Sequence, residues 1–193
     1  MPKVSEAHLQ ARRQQILDAA AACFAREGFH RTSMQDIVRE CGISAGLIYR
    51  YFASKDEMIA AIVTDWHTHR ATVLTAEHSA GLDALAESYL GLLREVGGPE
   101  APDARLALQV WAESVRSPEI RELARKGVDG PRRMLVEQLR GRLPAELDAD
   151  ALVRVLISVY QGLFVQTVWD DTLDNAAYVD TVAALLRRVV PEA

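Results

Sequence analysis

Residues 32–58 read TSMQDIVRECGISAGLIYRYFASKDEM and compress three helix starts and two aromatic bursts into one stretch. Thr32 or Ser33 is placed to cap a helix, with Gln35 or Asp36 at capping-box spacing. Ile37, Val38 and Cys41 of that helix face inward, and Gly42 ends it. Ile43 plugs the turn, and Ser44 caps a short helix over about Ala45 to Phe52. Two helices joined by a tight glycine turn form a helix-turn-helix, and eight helical residues span about 12 Å, the width of a B-DNA major groove. Ile48 and Phe52 lie four apart and face the core. The small residues Ala45 and Gly46 let backbone approach base edges, while Tyr49, Tyr51 and Lys55 can donate to phosphates and fix register. Each feature alone also suits an ordinary helical hairpin. Their coincidence suits a nucleic-acid partner.

Working outward, the first helix is expected over Ala7 to Glu27. Leu9, Ile16, Ala20, Cys23 and Phe24 form one stripe, Gly28 is a left-handed cap and Phe29 folds back. A fourth helix starts at Ser54 and runs to about Glu77, with Lys55 in its first turn. A lysine opposes the positive end of a helix dipole, which implies an anion there.

The run from Arg12 to Met58 closely resembles the N-terminal domain of the TetR family of bacterial transcriptional regulators. The matching features are Thr32 with Ser33, the Gly42 to Ser44 turn, Tyr49 to Phe52, and Ser54 with Lys55. The resemblance implies phosphate contacts by Thr32 or Ser33, Tyr49, Tyr51 and Lys55. It implies base contacts by Gln35, Ala45, Gly46, Leu47 and Arg50. Val38 and Cys41 stand where the family usually has alanine, so helices two and three are expected to pack slightly wider. Ala45 and Leu47 lack hydrogen-bonding groups, which leaves direct readout to Gln35, Arg50 and contact with thymine methyls.

The whole chain has 193 residues, is 49% apolar and 25% charged, and holds no repeat or low-complexity tract. Its net charge of -5 is unevenly spread: residues 1–55 hold eight Lys/Arg against five Asp/Glu, and residues 56–193 hold the other 14 against 22. A basic partner surface is therefore N-terminal. The first residues lack a signal-peptide apolar stretch. The longest uncharged run, Val155 to Trp169, reads as too short and too polar for a bilayer, so a cytoplasmic protein is expected. Cys23 and Cys41 read as small core residues, with neither a disulfide nor a cysteine-based metal site expected.

Period-3.6 patterns run throughout, so the fold class is all-α with about nine helices. Later helices are expected at Leu82 to Val96, Asp103 to Arg116, Pro118 to Leu143 with a break near Gly127 to Pro131, Asp148 to Trp169, and Ala176 to Val189. The loop Gly97 to Pro102 joins helices within one body. Residues 1–53 form the expected helix-turn-helix domain, and residues 54–193 the effector-binding and dimerisation domain. Leu106 to Leu123 resembles the subgroup of the family that includes choline-pathway repressors.

The helix from Asp148 to Trp169 is apolar almost all round, and the last helix is nearly as broad, so both need cover on two sides. Leu156, Val159, Leu163, Phe164, Tyr178, Val182, Leu185 and Val189 are the expected interface of a two-fold dimer, as the resemblance also implies. A central core helix in a monomer is the competing account. Tyr89, Leu93, Gln109, Trp111, Ala112, Val115 and Tyr160 mix aromatic, small and polar groups as a small-molecule pocket requires, although cores hold the same mixture. His67, His69 and His78 are spaced wrongly for one ion on a continuous helix, and no metal or cofactor is expected.

These features lead to a ligand-responsive homodimeric regulator, a repressor that a small molecule releases from a palindromic operator. An enzyme is not expected, because no nucleophile–base pair, paired carboxylate site or phosphate loop stands out. An architectural DNA binder without a ligand is the alternative, which a cavity of roughly 300 Å³ or more would oppose.

Overall fold

The computed structural model describes residues 5–75, 82–97 and 104–189. Those residues form nine helices and no strand: α1 Glu6–Glu27, α2 Met34–Cys41, α3 Ala45–Tyr49, α4 Lys55–Thr75, α5 Leu82–Glu95, α6 Ala104–Arg116, α7 Pro118–Leu139, α8 Ala149–Trp169 and α9 Asn175–Val189. The chain divides into two compact units, residues 1–65 and 66–193, and the division falls inside α4. The expected ends of the fourth helix at Glu77 and the sixth at Asp103, and most of the Gly97 to Pro102 loop, lie outside the described residues.

In the first unit, α1 buries Ile16, Leu17, Ala20, Cys23 and Phe24. Leu9, expected on that stripe, stands one turn too early and is exposed. Gly28 ends the helix by donating its N–H to the Phe24 carbonyl. Its φ of 88° is positive, but its ψ of 157° is extended rather than left-handed helical. The chain then turns, with the Thr32 N–H donating to the Gly28 carbonyl, and Phe29 stacks on Phe24 with ring centroids 4.7 Å apart. Ser33, not Thr32, caps α2: the Asp36 N–H donates to the Ser33 hydroxyl, and the Asp36 carboxylate accepts from the Ser33 N–H at 2.8 Å. Gly42 at φ 70° and ψ 15° supplies the left-handed turn.

α3 has five regular residues, not the eight expected. It tightens because Arg50 and Tyr51 donate to the carbonyls three residues back, Leu47 and Ile48. Ser44 has N-cap backbone geometry, but its hydroxyl makes no cap bond. Ser54 does cap α4, accepting from the Glu57 N–H at 3.2 Å.

In the second unit α5 packs against α8 and α9, and α6, α7 and α8 pack against one another. Leu90, Leu93, Val96, Ala107, Leu163, Phe164, Val179, Val182, Ala183 and Leu186 form the core. The Asn175 amide donates to the carbonyls of Leu93, Arg94 and Val96, occupying acceptors that the end of α5 leaves open. α7 is continuous through Gly127 and Pro131, so the expected break does not occur, and it ends at Leu139. Ser117 and Pro118 set its start.

Candidate functional site

The first unit presents a polar surface built from the starts of α2 and α3. Ser33, Gln35, Ser44, Ala45, Gly46, Tyr49 and Arg50 are exposed, while Leu47, Tyr51 and Lys55 are half-buried. Ile48 and Phe52 are buried as expected, anchoring the short helix from below. A side chain built at Gly46 would meet nothing within 4 Å, so the backbone there is open to close approach.

Two expected phosphate donors prove to be committed inside the protein. Thr32 is 2% exposed, and its hydroxyl donates to the Gly28 carbonyl at 2.8 Å and the Cys23 carbonyl at 3.3 Å. Of the pair at the start of α2, only Ser33 faces outward. The Lys55 ammonium donates to the Phe29 carbonyl at 2.7 Å and the Thr32 carbonyl at 3.3 Å, tying the start of α4 to the loop before α2. Its third N–H remains for an outside acceptor. Arg39 pairs with Asp36, and Arg26 with Glu40, so those cations are internally compensated. Asp36 is held below the usual carboxylate range by the Ser33 hydroxyl and then its backbone N–H. Burial raises the Cys23 and Cys41 thiols, which keeps both protonated.

The second unit holds an apolar cavity of about 120 Å³ lined from α4, α5, α7 and α8, with Leu186 of α9. Of the seven residues expected at an effector pocket, Tyr89 and Tyr160 line this cavity, together with Leu85, Val128, Pro131, Leu135, Leu156, Arg70 and Arg132. The other five expected residues do not. Leu93 is sealed in the core, and Trp111 is set edge-on against Phe164 at 5.7 Å between centroids. Gln109 and Trp111 are half-buried away from the cavity, Ala112 is exposed and Val115 is 74% exposed. They sit on α6, which contributes nothing to the lining. The sequence signal for this cavity's wall is Gly127: a side chain there would lie 1.8 Å from His67 Nδ1, so only a hydrogen lets α7 approach α4.

His67 is neutral, its pKa lowered to about 4 by burial and then by the Arg70 charge. His69 pairs with Glu95, and His78 lies outside the described residues. Burial raises Tyr89, whose hydroxyl donates to the Leu156 carbonyl at 2.8 Å, and burial likewise raises Tyr160.

The expected dimer residues separate into two groups. Leu163, Phe164 and Val182 are buried in the unit's own core, which corrects their assignment to a shared face. Leu156, Val159 and Tyr178 are half-buried against the same core, and Val189 is half-buried. Leu185 is 56% exposed, and Val155 and Trp169, outside that expected set, are 57% and 80% exposed. α8 has 21 residues and is long and apolar enough to cross a membrane by length and composition only. The length inferred from its uncharged run alone was too short.

A helix-turn-helix followed by an all-helical body defines a class of bacterial regulator, and sequence comparison agrees. Residues 16–62 match the bacterial regulatory proteins of the tetR family, and residues 70–191 match the C-terminal part of BetI-type transcriptional repressors. The chain belongs to the TetR family and is a DNA-binding transcriptional regulator. It is 32% identical over 195 residues to the HTH-type transcriptional repressor Rv1474c of Mycobacterium tuberculosis, covering 97% of this chain and 100% of that one. Its fold matches Salmonella enterica GusR with a TM-score of 0.74 and 26% identity, over 97% of this chain and 98% of that chain. It also matches a Saccharomonospora viridis regulator solved with choline, TM-score 0.75 and 24% identity, over 95% and 100% of the two chains.

Proposed function

We propose that this regulator is a homodimeric repressor that a small molecule releases from a palindromic operator. Residues 1–53 read DNA, and residues 54–193 bind the effector and the second copy. The observation that carries this reading is the pairing, within one small body, of an apolar cavity with exposed Val155, Trp169 and Leu185. An apolar cavity and exposed apolar side chains both favour a partner. The choline held by the S. viridis protein supports a small-molecule site in a body of this fold.

Ser33, Tyr49, Tyr51 and Lys55 contact phosphates in this account, and Gln35, Ala45, Gly46, Leu47 and Arg50 face the bases. Two short recognition helices, spaced by about 34–36 Å or a nearby multiple, give the selectivity that one cannot. The architectural alternative draws support from the cavity's size, since about 120 Å³ is below the roughly 300 Å³ of ordinary ligand sites.

The test is Leu185→Asp. An exposed charge is harmless in a monomer but is buried without a partner in a dimer, costing several kcal/mol of association. Sedimentation should show a parental dimer and a folded monomeric variant, with loss of tight binding to a duplex selected from a random pool. A monomeric variant that keeps parental affinity would defeat the two-fold mechanism.

A further inference from the structure

We propose that the cavity takes a monocarboxylate with a compact apolar body about the size of a benzene ring, its carboxylate bound by Arg70. The proposal rests on the effector reading above and narrows it to one ligand chemistry.

The cavity wall is almost entirely hydrocarbon, and no Asp or Glu lines it. Its two charged residues, Arg70 and Arg132, are both cationic. Arg132 is already neutralised, paired with Asp150 and, at 3.7 Å, with Asp129. Arg70 is different. Its guanidinium lies over the Tyr160 ring, 5.6 Å from the centroid, and no carboxylate among the described residues forms an ion pair with it. A half-buried guanidinium facing an apolar space has given up water without gaining an anion, and the Tyr160 ring face and hydroxyl, both neutral, compensate only in part. His67, one turn away on α4, is uncharged and cannot compensate it.

Three ligand classes meet this wall differently. A quaternary ammonium would need a carboxylate or a free aromatic face, yet it finds an uncompensated cation, and that cation covers the Tyr160 ring. A neutral molecule would fill the volume and leave Arg70 unpaired. A carboxylate gains two parallel charge-assisted hydrogen bonds from the guanidinium fork, inside low-dielectric walls that strengthen them. The Tyr89 hydroxyl does not compete as a polar anchor, because it donates to the Leu156 carbonyl. Size sets the rest of the molecule. Apolar cavities near 150 Å³ take up benzene, and this one is about 120 Å³.

The full-length protein should be titrated calorimetrically with sodium benzoate, with benzamide as its uncharged isostere, and with tetramethylammonium chloride. Benzoate is expected to bind roughly ten-fold or more tightly than benzamide, and tetramethylammonium not to bind. Arg70→Met should bring benzoate and benzamide to within about two-fold of each other, while Arg70→Lys keeps part of the preference. The Arg70→Lys variant preserves the test if Arg70→Met fails to fold. Equal binding of benzoate and benzamide by the parent, tetramethylammonium as the tightest ligand, or no benzoate binding at millimolar concentration would each overturn the proposal.

A parallel anisotropy titration of the protein–DNA complex separates this proposal from the reading beneath it. Benzoate that binds through Arg70 but leaves DNA bound upholds the ligand class and removes the effector role. DNA release by benzamide or tetramethylammonium, with benzoate inert, keeps the effector role and overturns the ligand class.

Discussion

In the unit of residues 1–65, the large apolar side chains other than Leu9 mostly close on one another, and what reaches the surface at α2 and α3 is mainly a set of hydrogen-bonding tips: Ser33, Gln35, Ser44, Tyr49 and Arg50. In the unit of residues 66–193 the opposite holds. Val115, Val155, Trp169 and Leu185 are exposed, and an apolar cavity opens between α4, α5, α7 and α8. The first unit offers polar contacts to a polar, charged partner. The second carries apolar side chains on its surface and an apolar cavity within, the features on which the proposed second copy and small ligand rest. Rigidity suits the first task, because base-edge contacts tolerate little displacement, and an incompletely packed body suits the second.

The largest expected effect comes from deepening the second unit's deficit. Phe164 is 2% exposed and contacts Trp111 and Tyr160 edge-on, at 5.7 and 5.0 Å between centroids. Phe164→Ala should destabilise that unit by about 3–5 kcal/mol through lost transfer energy and the void left behind. All three tryptophans, Trp66, Trp111 and Trp169, lie in residues 66–193, so urea unfolding followed by their fluorescence reports on this unit. An unchanged midpoint would mean that the core is looser than its burial indicates. The comparison of a closed unit with an open one would then understate the openness.

The next effect, smaller, sharpens the account of the first unit. Lys55 holds two carbonyls of the α1–α2 loop, so Lys55→Met should cost about 1.5–3 kcal/mol of stability as well as DNA affinity. Tyr49→Phe removes a hydroxyl from an exposed side chain. It should leave stability within about 0.5 kcal/mol while weakening binding to all DNA sequences alike. Denaturation by circular dichroism, set beside anisotropy with duplex DNA, separates the two. Loss of DNA affinity by Lys55→Met at parental stability would make Lys55 a phosphate contact alone and remove its bracing role.

The two units also differ in how far their sequence can be read. In the first, the deciding interactions are local: Ser33 with Asp36 three residues on, Gly42 at the turn, Ile48 with Phe52 one turn apart. Spacing alone exposes such pairs. What spacing missed there is long-range, namely Lys55 reaching 26 residues back to Phe29, and Thr32 turning inward to Cys23. In the second unit nearly every deciding contact is of that kind. α8 is apolar on all sides, so its pattern could not say that Phe164 faces its own core while Val155 faces out. Trp111 looked like a pocket residue by chemistry, but which helices enclose the cavity depends on how closely α7 meets α4, and Gly127 decides that only through His67.

The smallest of the three effects is a pH dependence, and it tests that same closeness. Burial first, and then the charge of Arg70, lowers the His67 pKa from an ordinary value near 6.5 to about 4, and α7 meets the ring with Gly127, which carries no charge. Between those two values the unfolded chain binds a proton that the folded unit refuses, so stability must fall as pH falls through this window. The full shift corresponds to about 3 kcal/mol, and partial solvent screening reduces the expected loss to about 1–2 kcal/mol. His67→Leu removes the titration while keeping an apolar side chain against α7. Below pH 4 and above pH 6.5 the parent and variant should therefore change in parallel, and between those limits the parent alone should carry the extra loss. Urea midpoints at half-unit pH steps, read by tryptophan fluorescence, measure the difference directly. Parallel curves across the whole range would mean that water reaches His67 and that α7 stands further from α4 than the Gly127 contact requires.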